Sequence, residues 1–204
     1  MKFTKLVAAL LVGTAFGVSA QTTYTSESAF VSALAAGFYL EDFSSQPAFS
    51  SPASLSLSGG TPTVSYQISA PGLLYINQDQ NGNNAVGNYV QSDNVTVTFT
   101  TPVYAVGAEF YLTDINGNGV AGTTSILFSG GTTGNIPSTM SGPPYGFFGV
   151  TSTTPITSLV INANLSGFVN MANLYTSASP VPEPATGLIL LAGITGLACA
   201  RRRN

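Results

Sequence analysis

Apolar and polar residues alternate along most of this chain with a period of two, the period of a half-buried β-strand. In Thr63-Val64-Ser65-Tyr66-Gln67-Ile68, Val64, Tyr66 and Ile68 fall on one side, and Asn94-Val95-Thr96-Val97-Thr98-Phe99 repeats the pattern more strictly. Val103 to Leu112 turns Val106, Ala108, Phe110 and Leu112 one way and Gly107, Glu109 and Tyr111 the other. Short runs at 39–43, 125–128, 145–150, 156–162 and 168–175 complete the strand series, separated by GGTP, PG, NGNN, NGNG, GG and GPP. Those separators are turn chemistry: glycine supplies positive φ, proline presets its own φ, and asparagine tolerates both. Residues 44–52 and 132–144 read as surface loops.

A helical spacing occurs once in this body, in SESAFVSALAA (26–36), with Phe30, Val31 and Leu34 on its apolar face. Ser26 is placed to cap it, Glu27 suits the first turn, and Gly37 can end it. Many short strands after one short helix predict an all-β antiparallel sandwich, jelly-roll-like in topology.

The two ends follow a different pattern. Lys2 and Lys5 precede an apolar stretch from Leu6 to Val18, and Val18-Ser19-Ala20 places small residues ahead of a cut between Ala20 and Gln21. This is the build of a secretory signal peptide, read by the Sec translocon. At the other end, Ala185 to Ala200 carries no charge and Arg201, Arg202 and Arg203 follow it. Sixteen helical residues reach ~24 Å, which snorkelling arginines and local thinning extend across a bilayer. The arginines keep that end cytoplasmic and leave everything before it facing outward. Pro182 and Pro184 delay the helix start. Three segments result: a signal peptide at 1–20, a β-sandwich body at 21–179, and a tail at 180–204 holding a transmembrane helix.

Composition narrows what the body can do. From Gln21 to Ser179 there is no Lys, Arg, His, Cys or Trp, and its charges are the acids Glu27, Glu41, Asp42, Asp79, Asp93, Glu109 and Asp114. Nucleic acid is excluded as a partner, because phosphate binding needs cations, and anionic lipid is excluded on the same ground. Triads built on histidine and imidazole zinc sites are excluded as well. The 159 residues from Gln21 to Ser179 suffice for one core without disulfides.

Two loops share the spacing D-x-N-x-N: Asp79, Asn81, Asn83 and Asp114, Asn116, Asn118. Alternating oxygen donors around glycine can wrap calcium, although Ser125 stands where the second loop would need its bidentate glutamate. The same residues also make ordinary hairpin turns. Glu109, or the adjacent pair Glu41 and Asp42, raises glycoside hydrolysis. Neighbours on a strand point to opposite faces, so Glu41 and Asp42 cannot face each other, and Glu109 needs a partner carboxylate across a groove. Tyr111 and Tyr145 are candidate sugar platforms.

The tail resembles the PEP-CTERM sorting signal of bacterial surface proteins, with Val181, Pro182, Glu183 and Pro184, then the oily run, then Arg201 to Arg203. The resemblance implies recognition of the Pro-Glu-Pro element by an exosortase, removal of the helix, and transfer to the cell surface or extracellular matrix. Helix-then-strand bodies with a phrase similar to VTVTFTTPVYAVGAEF occur in that family, which implies a β-sandwich. The sequence thus reads as an exported, non-catalytic structural or adhesive protein. It is tethered to the inner membrane before processing and has no cofactor unless the loops bind calcium. The alternatives are a lectin-like module for calcium or extracellular polysaccharide and, more remotely, a glycoside hydrolase or lyase.

Overall fold

The computed structural model describes residues 21–34, 37–79, 81–138, 145–162 and 164–180. The expected signal peptide with Ala20, the sorting element Val181–Pro184 and the arginines at 201–203 lie outside these residues. Among the described residues no helix is long and apolar enough to cross a membrane.

In chain order the elements are β1 (Gln21–Tyr24), α1 (Glu27–Ala33), β2 (Tyr39–Glu41), β3 (Ser54–Gly59), β4 (Val64–Ser69) and β5 (Leu74–Gln78). They continue with β6 (Asn84–Asn88), β7 (Val95–Thr113), β8 (Gly122–Phe128), β9 (Thr133–Ser138), β10 (Gly146–Ile161) and β11 (Phe168–Ser177). All the strands join one curled antiparallel sheet. Its two long strands make the curl. β7 and β10 pair from Gly146↔Phe110 to Thr151↔Ala105 and again from Ser158↔Thr98 to Ile161↔Val95, with register shifts between. Extra residues at such shifts bend a strand pair, so each strand turns a corner and runs through both layers.

One layer is ordered β3, β4, first half of β7, second half of β10, β8, β9. The other is ordered β5, β6, β11, second half of β7, first half of β10, β1, with β2 beside the far end of β11. Their inner faces meet in a single apolar core, where Ile68, Val97, Ile126 and Leu159 from the first layer join Val86, Phe110, Leu112 and Met171 from the second. The layers are therefore joined by these two bent strands as well as by the connections from β4 to β5, β6 to β7 and β7 to β8, each of which leads from one layer to the other.

The first layer keeps the alternation read in the sequence, with β4 buried at Val64, Tyr66 and Ile68 and exposed or half-buried between. The second does not, since β6 and most of β11 are buried on both faces. Its outer face is covered at one end by α1, whose Ser26 side chain accepts the Ala29 N–H as the expected cap. The helix stops at Ala33, and the Leu34 N–H closes onto Val31 O.

Two readings are corrected. The stretch 132–144 is not all loop, because Thr133–Ser138 forms β9 against β8. Pro137 is tolerated there because an edge strand can lose an N–H without breaking an inner ladder. The runs 94–99 and 103–112, and likewise 145–150 and 156–162, are single bent strands rather than separate ones.

Candidate functional site

The two D-x-N-x-N loops adopt the same turn. Asp79 Oδ1 accepts the N–H groups of Asn81 and Asn83 at 2.8 Å, and Asp114 Oδ1 accepts those of Asn116 at 2.8 Å and Asn118 at 2.9 Å. The side-chain amides of Asn83 and Asn118 donate to the second carboxylate oxygen at 3.1 Å in both loops. Gly82 and Gly117 take φ of 84° and 82°, which only glycine adopts freely. These bonds to Asn118 and Asn116 hold the Asp114 carboxyl below its usual range. Each aspartate is thus the acceptor around which its own turn closes. The third acid of this region, Asp93, accepts the Gly72 N–H at 2.9 Å. Among the described residues no three acidic, cysteine or histidine side chains gather as a metal cluster.

Beside the Asp114 turn, the outer face of the second layer opens into a cleft of about 390 Å³. Strand parity builds it. β5 pairs with β6 so that Ile76 and Val86 face the core, which sends Tyr75 and Asn77 outward. β11 pairs Asn170 with Gly87 on one side and Tyr111 on the other, and Phe168 with Thr113. Asn77, Thr113 and Asn170 form the floor, Tyr89 and Phe49 stand at the rim, and the turn residues Ile115 to Gly117 close one end. Gly87 is required here, because a Cβ would lie 2.4 Å from Val169 O and 2.7 Å from Asn170 Oδ1. Gly87→Ala is therefore expected to displace the Asn170 side chain and cost about 1–3 kcal/mol by overpacking, read by urea denaturation.

Glu109 lies further along the same face, in a second cleft of about 480 Å³ shared with Glu27 and Tyr145. Asn173, at a bulge in β11 with φ of 49°, donates its Nδ2 to Glu109 Oε2 at 2.7 Å. Glu27 accepts the Tyr175 hydroxyl. Burial raises the Glu109 pKa first, Asn173 opposes it, and the charges of Glu27 and Asp79 add to the rise. A carboxyl whose folded pKa is raised makes the fold most stable below its unfolded value and progressively less so as pH rises through the folded value. Glu109→Gln is accordingly expected to gain stability over the parent as pH increases above about 4.5. Paired thermal melts from pH 4 to 8 would check this, and a constant difference would contradict it.

The remaining candidates are engaged internally. Glu41 is buried, accepts the Phe43 N–H at 2.9 Å and the Tyr39 hydroxyl at 2.6 Å, while Asp42 accepts the Ser44 N–H. Burial, then Glu41 itself, pushes Tyr39 up to about 12. Tyr111 and Tyr145 stack on each other at 3.9 Å and 14°, so they are partners for one another. Sequence reasoning missed the floor of the first cleft. Its signal was polar residues inside otherwise strong strand patterns, Asn77 in LYINQ and Asn170 in FVNMANLY.

Residues 180–203 match the family model of the PEP-CTERM protein-sorting motif, so this segment carries the sorting signal that its residues suggested. No curated protein matches the chain. Among solved structures it is similar to a family 6 carbohydrate-binding module studied by binding sub-site dissection, at 20% identity over 54% of this chain and 87% of that one, with a TM-score of 0.33. It is also similar to CsCBM6-3 from Clostridium stercorarium in complex with cellobiose, at 21% identity over the same shares and with the same TM-score of 0.33.

Proposed function

We propose that this chain is an exported bacterial surface or matrix protein, adhesive or structural and non-catalytic, whose β-rich body is delivered by an N-terminal export signal and freed from the inner membrane by an exosortase. The observation that carries this reading is the PEP-CTERM match at residues 180–203. Within it, Pro182, Glu183 and Pro184 precede an uncharged run that ends at Arg201. The physics fits that order. The oily run partitions into the bilayer, and the arginines resist translocation.

This reading requires no cofactor. Replacing Arg201, Arg202 and Arg203 with serine in the producing cell is expected to abolish processing, so that the body no longer accumulates at the surface. Intact mass of the parent protein should begin at Gln21 and lack the arginines. Surface accumulation unchanged by the serine variant, or a full-length chain in the cytosol still carrying Met1, would overturn the reading.

A further inference from the structure

The cleft between β5, β11 and the Asp114 turn has a chemistry that the sorting tail does not explain. Its floor is amide and hydroxyl, nearly closed to solvent except through the cleft: Asn77 is 5% exposed, Asn170 2% and Thr113 3%. Asn170 spends its Nδ2 on Thr113 Oγ1 and Phe168 O, both at 3.0 Å, which leaves its Oδ1 as an acceptor over Gly87. Asn77 spends its Oδ1 on the Gln78 N–H at 2.9 Å, which leaves its Nδ2 as a donor. Thr113 accepts from Asn170 and retains its own hydroxyl proton. Donor and acceptor are thus offered side by side with no cation among them. The acid on the cleft, Asp114, is committed to its own turn.

The rim is the opposite in character. Phe49 is 64% exposed, Tyr89 53% and Ile115 83%. Phe49 has φ of 59°, a left-handed conformation that costs a non-glycine residue of order 1–3 kcal/mol. Its backbone is nevertheless fixed: its N–H donates to Ile76 O at 2.8 Å, and the Ile76 N–H donates to Ser50 O at 2.9 Å. The chain is therefore fastened to the open edge of β5 in a strained form that holds an aromatic ring in water at the mouth of a polar cleft. Tyr89 is steadied by Tyr75, with ring centroids 6.2 Å apart.

We infer that this cleft is a binding site for a neutral polysaccharide, with pyranose rings laid against Phe49 and Tyr89 and their hydroxyls bonded to Asn77, Thr113 and Asn170. A sugar ring has apolar C–H faces and a hydroxylated edge, and the cleft has aromatic walls and a neutral donor–acceptor floor. Anionic ligands find no cation, and purely apolar ligands would strand buried amides. The volume falls at the small end of ligand clefts, roughly 300–1,000 Å³, which suits a short stretch of glycan. The inference rests on the surface-protein reading for where such a ligand is met, but not for the binding itself.

The test is an array of immobilised neutral and acidic glycans probed with the full-length chain in detergent micelles, with and without EDTA. Binding to at least one neutral glycan, unaffected by EDTA, is expected, with a loss of tenfold or more in the double variant Phe49→Ala/Tyr89→Ala. Both side chains are largely exposed, so that variant should melt with the parent; Asn77→Asp adds a charge to the floor and should weaken binding by a similar factor. No neutral glycan retained, binding to acidic glycans alone, binding abolished by EDTA, or a double variant that binds like the parent would each overturn the site. None of these readouts depends on tail processing, so failure of the sorting reading and failure of this one remain distinguishable.

Discussion

Replacing Phe110 with alanine is expected to lower the unfolding free energy by about 3–5 kcal/mol, at the upper end for a single truncation in a core. Phe110 lies on β7, opposite Met171 of β11 and Gly146 of β10, and its side chain is fully buried. It sits in the half of β7 that belongs to the second layer and points into the apolar cluster shared by both layers. Its loss removes transfer free energy and leaves a void where neither layer can collapse, because the bent strands β7 and β10 tie them together. For a domain of this size 1 kcal/mol corresponds to roughly 2–4 °C, so the melting temperature should fall by about 6–20 °C. Urea denaturation of parent and variant, with an unchanged slope, would measure it. A shift of under about 1 kcal/mol would mean that the two layers do not share one core.

The parts of this structure that could be read from the sequence are those in which one face of a strand meets water. β4 and the first half of β7 alternate because only one side is buried, so the period of two in the sequence matches the buried positions Val64, Tyr66, Ile68, Val95, Val97 and Phe99. β6, NAVGN, gives no such pattern. It is buried throughout, and its asparagines are satisfied inside the protein, with Asn84 donating to Phe43 O at 3.1 Å and to Gln46 O at 2.9 Å. Asn88 Oδ1 accepts the Val169 N–H at 2.9 Å. Such residues look like turn formers until their distant partners are known. The cleft floor was hidden for the same reason, because residues 77, 113 and 170 come together only through the pairing of β5, β6, β11 and β7. The tail was legible because a sorting signal is read as a linear segment and needs no tertiary partner.

Phe30 and the glycines beneath it make the second prediction. Gly107 and Gly149 are direct antiparallel partners on β7 and β10, and glycine in a strand interior ordinarily weakens it. Here the pair forms a notch for the Phe30 ring of α1. A Cβ at Gly149 would lie 2.6 Å from Phe30 Cδ2, and one at Gly107 would lie 2.9 Å from Phe30 Cε1 and 2.8 Å from Phe147 Cζ. Tyr24, Phe147 and Tyr175 surround the ring at centroid distances of 5.5, 5.4 and 6.4 Å. Phe30→Ala is expected to cost about 3–5 kcal/mol, and Gly149→Val about 1–3 kcal/mol, because the added methyls occupy the place of the ring. The two changes act on one space, so the double variant should cost less than the sum of the singles by roughly 0.5–3 kcal/mol. Amide exchange should quicken in α1 in every variant while β4 and the first half of β7 keep their protection, since the helix covers only the outer face of the second layer. If the two costs instead summed to within about 0.5 kcal/mol, the ring would not be seated on the glycines, and the helix would have to be held by its other contacts.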